Sequence, residues 1–251
     1  MSKGISIAFI TSVFGYNGND PKKFEKIKGA QYFLFTDRPE SSFDTDWEII
    51  NIAGILDIVN LDCNVRKSRY CKFMGWSVLE AMGGVFDYVY YCDVHLSPNH
   101  HLNWPELSKY ISHHDFPFIQ DVHSDPEIRK KGIKQELKAI IKHERDTGEQ
   151  VDKTTRYLEK RLPDVDLDSP KFFQNTVFGY EYQSKLVRFI FATFWGHYSK
   201  NDITFRDQPL WNAILKKYKL IPFHKIKLLN RFFVKTGLYG KHGLRGLDDE
   251  D

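Results

Sequence analysis

Short apolar segments alternate with helical segments along most of the chain, and this alternation is the feature that most constrains the fold. Strands that alternate with helices are typical of an α/β sandwich with a mainly parallel central sheet. The chain has 251 residues and no repeat or low-complexity linker, which predicts one domain over residues 1–246 and a disordered acidic tail over 247–251. The predicted strands cover residues 5–13, 32–35, 47–52, 86–95, 116–121 and 171–180.

The helices are predicted from their periodicity and from residues that favour helix ends. One helix is expected to begin near Asp62, a suitable N-cap, and to end at Gly83 and Gly84. A charged helical stretch is expected over residues 127–162 with a break near 147–148, and two further helices over 184–198 and 209–218.

The strand predicted over residues 86–95 consists of aromatic and β-branched residues and ends in Asp93 and His95. On an extended backbone, side chains two residues apart point to the same side. A carboxylate and an imidazole together are good ligands for a divalent ion such as Mn²⁺. The alternative is a buried strand followed by a polar turn, with Asp93 as a cap and His95 exposed. Both interpretations are open on this segment alone.

Composition excludes few classes of function. The formal net charge of +3 does not indicate a nucleic-acid-binding protein, although clustered cations could still bind a phosphate. The three cysteines, Cys63, Cys71 and Cys92, lack the spacing of metal ligands and suit reduced thiols in the cytoplasm. The first apolar run is too short for a signal peptide, and no stretch is long enough to span a membrane, so a cytoplasmic location is expected.

Three cations, Arg66, Arg69 and Lys72, follow each other at spacings of three residues on the helix predicted from Asp62. This spacing places them along one helix face. Such a row can be a solvated surface. It also suits a diphosphate, because arginine binds phosphate oxygens in a bidentate manner and helix N-termini favour anions.

Two later segments also carry residues of chemical interest. Asp207 and Gln208 precede Pro209 at a predicted helix start, where Asp207 could cap the helix or could act as a base. The glycine-rich stretch 239–246 contains Lys241 and His242, which could approach a phosphate and complete a metal site. A flexible basic tail has the same composition.

Taken together, the segments resemble a glycosyltransferase of the GT-A type. The chain more closely resembles an uncharacterised family of glycosyltransferase-like proteins from plants, bacteria and large viruses, whose motif order is similar to that of glycogenin. The resemblance extends from Ile5 to Arg245. It depends on the order of short motifs at residues 12–15, 35–37, 68–72, 91–95, 206–208 and 241–243.

The resemblance implies a Rossmann-like nucleotide-sugar-binding fold, a donor that is expected to be a UDP-sugar, and a glycan or glycoprotein acceptor. It implies that Mn²⁺ or Mg²⁺ bridges the donor diphosphate, with Asp93, His95 and His242 as ligands. His95 replaces the second acid of the family's Asp-x-Asp motif. The implied donor-binding residues are Thr11, Val13, Phe14, Asp37, Arg66, Arg69, Lys72, Asp93 and Lys241, and the implied catalytic residues are Asp207 and Gln208.

Two other classes of function are compatible with the sequence. A metal-dependent phosphohydrolase usually needs two metals and more clustered carboxylates than Asp93, Asp121 and Asp207 supply. A non-catalytic protein that binds carbohydrates or nucleotide-sugars is favoured by the replacement of an acid at His95.

Overall fold

The computed structural model describes residues 4–15, 20–61, 63–199, 202–225 and 227–236. The chain divides into two compact units. Unit 1 consists of Met1–Asp121, Thr176–Phe191 and Pro222–Gly240, and unit 2 of Val122–Asn175, Ala192–Ile221 and Lys241–Asp251. The single domain expected over residues 1–246 stays a prediction.

Within the described residues, six strands form a central sheet and two short strands form a second sheet. The strands are β1 Ile7–Ser12, β2 Gln31–Thr36, β3 Glu48–Asn51, β4 Tyr88–Cys92, β5 Leu96–Pro98, β6 Phe118–Val122, β7 Phe173–Glu181 and β8 Phe233–Lys235. The order in the large sheet is β3-β2-β1-β4-β7-β6, and β5 pairs with β8. The three ladders β3/β2, β2/β1 and β1/β4 are parallel, whereas β4 and β7 are antiparallel. The predicted α/β class with a mainly parallel sheet is confirmed.

The helices follow the predicted segments closely and include additional short ones. They are α1 Ala53–Val59, α2 Asn64–Ala81, α3 Trp104–Ser112, α4 Pro126–Lys142, α5 Gly148–Arg161, α6 Lys185–Tyr198, α7 Asp207–Lys217 and α8 Leu228–Arg231, and a 3₁₀ turn lies at Glu40–Ser42. Helix α2 ends before Gly83, whose φ of +76° is the left-handed conformation predicted there. The predicted break in the charged stretch falls between α4 and α5, where the Thr147 side chain caps α5. Asp62 lies outside the described residues.

The core of unit 1 contains a cluster of stacked aromatic rings on one face of the sheet. Phe9 of β1 stacks on Tyr32 of β2 and on Tyr90 of β4, with ring centroids 5.1 and 5.6 Å apart. Trp104 of α3 meets Phe9 edge-on at 4.7 Å and also donates its indole N–H to the Asn99 carbonyl. Each such pair contributes about 0.5–1.5 kcal/mol beyond the burial of its surface. This packing fixes β1, β2 and β4 side by side.

Unit 2 contains α4, α5 and α7, and several of its polar residues, among them Glu136, Asn175 and Asp207, are buried. Asp125 caps α4 by accepting hydrogen bonds from the backbone N–H groups of Glu127 and Ile128. Helix α4 is kinked at Gly132, which has a φ of +71°. A Cβ at Gly132 would lie 2.4 Å from the Ser169 carbonyl oxygen, so only glycine fits there.

The sheet topology determines where a ligand can bind in unit 1. The chain moves from β1 outward to β2 and β3, and then returns to the other side of β1 with β4. Such a reversal creates a crevice at the carboxyl ends of the neighbouring strands, where open α/β sheets bind ligands. None of the described helices combines the length and apolar character needed to cross a membrane.

Candidate functional site

The first group of predicted donor-binding residues lies at the carboxyl end of β1. Thr11 is inside the strand, and Val13 and Phe14 follow it; all three are buried. Thr11 Oγ1 makes no hydrogen bond within the described part of the chain. Gly15 has a φ of +71°, and a Cβ there would lie 2.7 Å from the Asn64 side chain at the start of α2. Glycine therefore allows the loop after β1 to contact the first turn of α2.

Charged side chains follow β2 at the same edge of the sheet. Asp37 accepts a hydrogen bond from the Lys67 ammonium at 2.8 Å, which links β2 to α2. The neighbouring Arg38 is buried and forms an ion pair with Asp20, and it also donates to the Gly15 carbonyl at 3.2 Å. Asp37 is thus a half-buried, charge-paired residue at the end of β2, where the resemblance implied a donor-binding residue.

Asp93 lies one residue beyond the end of β4 and is the centre of a charged cluster. Its Oδ1 accepts hydrogen bonds from the Lys72 ammonium at 3.2 Å and from the Tyr91 hydroxyl at 2.9 Å. The Lys72 side chain is only 3% exposed, whereas that of Asp93 is 31% exposed. The Lys72 ammonium also lies 4.8 Å from the centre of the Tyr91 ring. Lysine is rarely buried without an anionic partner, so Lys72 and Asp93 depend on each other.

The chain turns after Asp93 instead of continuing as an extended strand. The Leu96 N–H donates to the Asp93 carbonyl at 2.9 Å, so Asp93 and His95 are parts of one turn. The predicted reason for their proximity, a shared side of an extended strand, is therefore wrong. Their electrostatic coupling is present nevertheless. Burial lowers the pKa of His95, Asp93 opposes this effect, and Lys235 and Lys72 add to it.

Two of the three predicted metal ligands are described, and their chemistry fits one divalent ion. Asp93 Oδ2 accepts no hydrogen bond from the described residues, and the Asp93 side chain is partly exposed. The lowered pKa of His95 favours the neutral imidazole, which is the form that binds metal. Ions bound to nucleotides often take only one or two protein ligands and complete their coordination with phosphate oxygens and water. In the described ranges, no group of three or more histidine, cysteine and acidic residues is placed to hold a metal ion.

The cations predicted on α2 are not a solvated row. Arg66 and Arg69 are half-buried and Lys72 is buried. Arg69 lies close enough to Tyr91 to favour ionisation of its hydroxyl, although burial dominates and raises the pKa of Tyr91. These positions place part of the positive charge of α2 beside the end of β4.

The predicted catalytic residues lie in unit 2, at the start of α7. Arg206 is the N-cap residue of this helix, so Asp207 does not cap it. The Asp207 carboxylate accepts a hydrogen bond from the Asn175 amide at 2.9 Å and is almost fully buried. Gln208 accepts from the Asn175 backbone N–H at 3.0 Å and donates to Glu136 at 3.1 Å. Both residues therefore belong to an internal hydrogen-bond network.

Glu136 was not singled out in the sequence, because it is one of many charged residues in the stretch that forms α4. Its side chain is fully buried, and burial raises its pKa. Nε2 of His123 lies 3.9 Å from Oε2 of Glu136. His123 follows directly after β6, and this position was the one available signal for a functional residue. Lys235 was also missed, since the short strand β8 has no clear sequence pattern.

Lys241 and His242, predicted to bind phosphate and metal, lie outside the described residues. No model of a known protein family matches the chain, and no curated protein matches it either.

Proposed function

We propose that the chain is a metal-dependent glycosyltransferase of the GT-A type, which transfers a sugar from a nucleotide-sugar, expected to be a UDP-sugar, to a hydroxyl group of a glycan or glycoprotein. The observation that carries the proposal is the Asp93 carboxylate at the end of β4, bonded to the buried Lys72 and coupled to His95. This cluster is at the sheet edge where the topology predicts a ligand.

The chemistry of glycosyl transfer explains why such a cluster is useful. When the bond between the sugar and the diphosphate breaks, negative charge develops on the nucleoside diphosphate, and cations that face it lower the barrier. Lys72 supplies fixed positive charge at Asp93, and Arg69 does so near Tyr91. Lys235 lies close enough to His95 to influence its pKa. In a partly buried site these charges act more strongly than they would in water.

The predicted metal would be held by Asp93 Oδ2 and by the neutral His95 imidazole. When bound, a divalent ion neutralises the charge of the leaving diphosphate. The role of this chain's residues is to present two ligands in one turn and to keep the Lys72 ammonium on the opposite oxygen of the same carboxylate. Thr11, Val13, Phe14 and Asp37 are proposed to bind the base and the ribose.

A proton must leave the acceptor hydroxyl during transfer, and Asp207 is the proposed base. Its bond to Asn175 fixes the orientation of its carboxylate. If the stereochemistry at the anomeric carbon is retained, Asp207 or Gln208 would instead lie beside that carbon.

The decisive experiment measures release of nucleoside diphosphate from UDP- and GDP-sugars with Mn²⁺ and a set of glycan acceptors. The informative variant is Asp93→Asn, because the amide oxygen can still accept from Lys72 and Tyr91 while the negative charge is lost. Asp115→Asn, at an exposed position of unit 1, is the matched control. We expect release by the wild type and by the control, and loss of release in Asp93→Asn.

A non-catalytic nucleotide-sugar-binding protein is the second candidate. It is favoured by the pairing of Asp93 with Lys72 and by His95 in place of an acid, which together leave the site less negative than a pair of acids would. Nucleotide binding without any release, across all donors and acceptors, would support this candidate and contradict the transferase.

A further inference from the structure

We propose that unit 2 contains a binding site for a hydroxyl group of a sugar, formed by His123 and Glu136. The identification of this hydroxyl as that of the acceptor depends on the proposed function, but the existence of the site does not. Both of its residues belong to unit 2, whereas the nucleotide-binding residues Thr11, Val13, Phe14 and Asp37 belong to unit 1.

The Glu136 carboxylate has one satisfied oxygen and one available oxygen. Oε1 accepts from the Gln208 side chain at 3.1 Å, which fixes the carboxylate in place. Oε2 accepts no hydrogen bond from any described residue, although the side chain is 0% exposed. Leaving a buried acceptor without a donor costs about 1–3 kcal/mol, so such atoms usually face a ligand or a water.

His123 is oriented so that it can donate into this position. The backbone N–H of Asp125 donates to Nδ1 of His123 at 3.1 Å, which leaves the proton of the neutral ring on Nε2. Burial lowers the pKa of His123, and this favours the neutral ring. The main chain of His123 is also fixed, because its N–H donates to the Phe172 carbonyl at 2.7 Å.

The distance between the two groups fits one oxygen atom between them. Nε2 of His123 and Oε2 of Glu136 are 3.9 Å apart, which is too far for a direct hydrogen bond. An oxygen about 2.8 Å from each atom can accept from Nε2–H and donate its own proton to Oε2. An alcohol has this combination of acceptor and donor. The His123 side chain is 13% exposed and is therefore the part of the pair that reaches the surface.

The surrounding charges favour an alcohol over a metal ion. Arg206 and Arg145 lower the pKa of Glu136, in opposition to burial and to the nearby Asp207. The same two arginines lower the pKa of His123, and Asp125 raises it. Two guanidinium groups near one carboxylate repel a divalent cation, whereas a neutral hydroxyl carries no such penalty.

The test is an NMR titration of the histidine ring resonances with four methyl glycosides, those of glucose, galactose, mannose and xylose, in the absence of nucleotide. The His123 signals are assigned by their loss in His123→Gln. We expect at least one glycoside to shift them saturably in the wild type. Glu136→Gln replaces the acceptor Oε2 with an amide donor, and we expect it to weaken that binding by about 10-fold or more. Glu127→Gln, exposed on the same helix, is the control and is expected to bind as the wild type does.

The proposal is overturned if none of the four glycosides shifts the His123 signals, which would mean that only water occupies the position. It is also overturned if Glu136→Gln binds as tightly as the wild type. The wild-type titration decides the matter even if Glu136→Gln does not fold. Because no nucleotide is present, failure here leaves nucleoside diphosphate release unaffected, and failure of that release leaves the glycoside shifts intact.

Discussion

Lys72, a buried residue of α2 beside the end of β4, offers the sharpest test of the donor site. Lys72→Met replaces the ammonium with an uncharged side chain of similar length that suits a buried position. The change removes the bond of 3.2 Å to Asp93 and the positive charge beside the Tyr91 ring. If a diphosphate binds at this edge of the sheet, its affinity should fall while the fold persists.

Lys72→Met is expected to change the stability of the fold less than it weakens the binding of a diphosphate. A hydrogen bond between charged groups contributes about 1.5–3 kcal/mol to stability, and the lower end applies here because Asp93 is 31% exposed and remains solvated. Removing a buried ammonium also removes its desolvation cost, so we expect the free energy of unfolding to change by less than about 2 kcal/mol. Loss of one cation facing a diphosphate costs about 2–3 kcal/mol of binding, which is about 30- to 150-fold in Kd.

The assay is calorimetric titration with UDP in the presence of Mn²⁺, with thermal unfolding measured on the same samples. Lys109→Met is the control, since Lys109 is exposed in unit 1 and its ammonium pairs with Glu106 on its own helix. We expect the control to bind UDP as the wild type does. Equal UDP affinity in Lys72→Met and in the wild type would refute the placement of the diphosphate beside Lys72.

Three further predictions follow from the described contacts. Asp93→Ala should destabilise the fold more than Asp93→Asn, because alanine removes the oxygen that accepts from the buried Lys72 ammonium, whereas the asparagine amide oxygen can still accept this bond. Equal unfolding free energies of the two variants would contradict this coupling. Burial raises the folded pKa of Glu136 from its ordinary 4.5, so the wild type should lose unfolding free energy as pH rises from 4.5 through that raised pKa. Glu136→Gln should lack this loss. Urea titrations at several pH values measure the difference in unfolding free energy between the two proteins, and a difference that stays constant with pH would contradict the raised pKa. Gly132→Ala should destabilise unit 2 by about 1–3 kcal/mol because its Cβ meets the Ser169 carbonyl. Gly148→Ala, with open space around it, should not destabilise the protein. Similar melting temperatures of the two variants would contradict the close approach at Gly132.

The α/β class and the mainly parallel sheet were predictable because buried parallel strands are continuous apolar runs separated by helical periodicity. Asp37 and Asp93 follow β2 and β4 at one edge of the sheet, because the carboxyl ends of parallel strands share an edge. The antiparallel direction of β7 was not predictable, because an apolar run carries no information about its direction. Helix α3 was not predicted, although its Asn103 cap and Pro105 are usable sequence signals.

The candidate site was predictable in its residue types but not in its contacts. Arg66, Arg69 and Lys72 have the spacing of an ordinary solvated helix face, and only packing against β4 reveals that Lys72 is buried. The turn after Cys92 replaced the expected extended backbone at His95. Glu136 lies in the same kind of charged sequence as Glu127, the exposed acid of α4. Its hydrogen-bond partner Gln208 is 72 residues away in the chain.

The proposal that Asp93 holds a divalent ion for the donor is tested by measuring the Mn²⁺-dependent binding of a UDP-sugar to the wild type and to Asp93→Asn. We expect saturable binding to the wild type that weakens strongly when Mn²⁺ is removed, and binding to Asp93→Asn that does not respond to Mn²⁺. Unchanged Mn²⁺-dependent binding to a folded Asp93→Asn would contradict a metal site at Asp93.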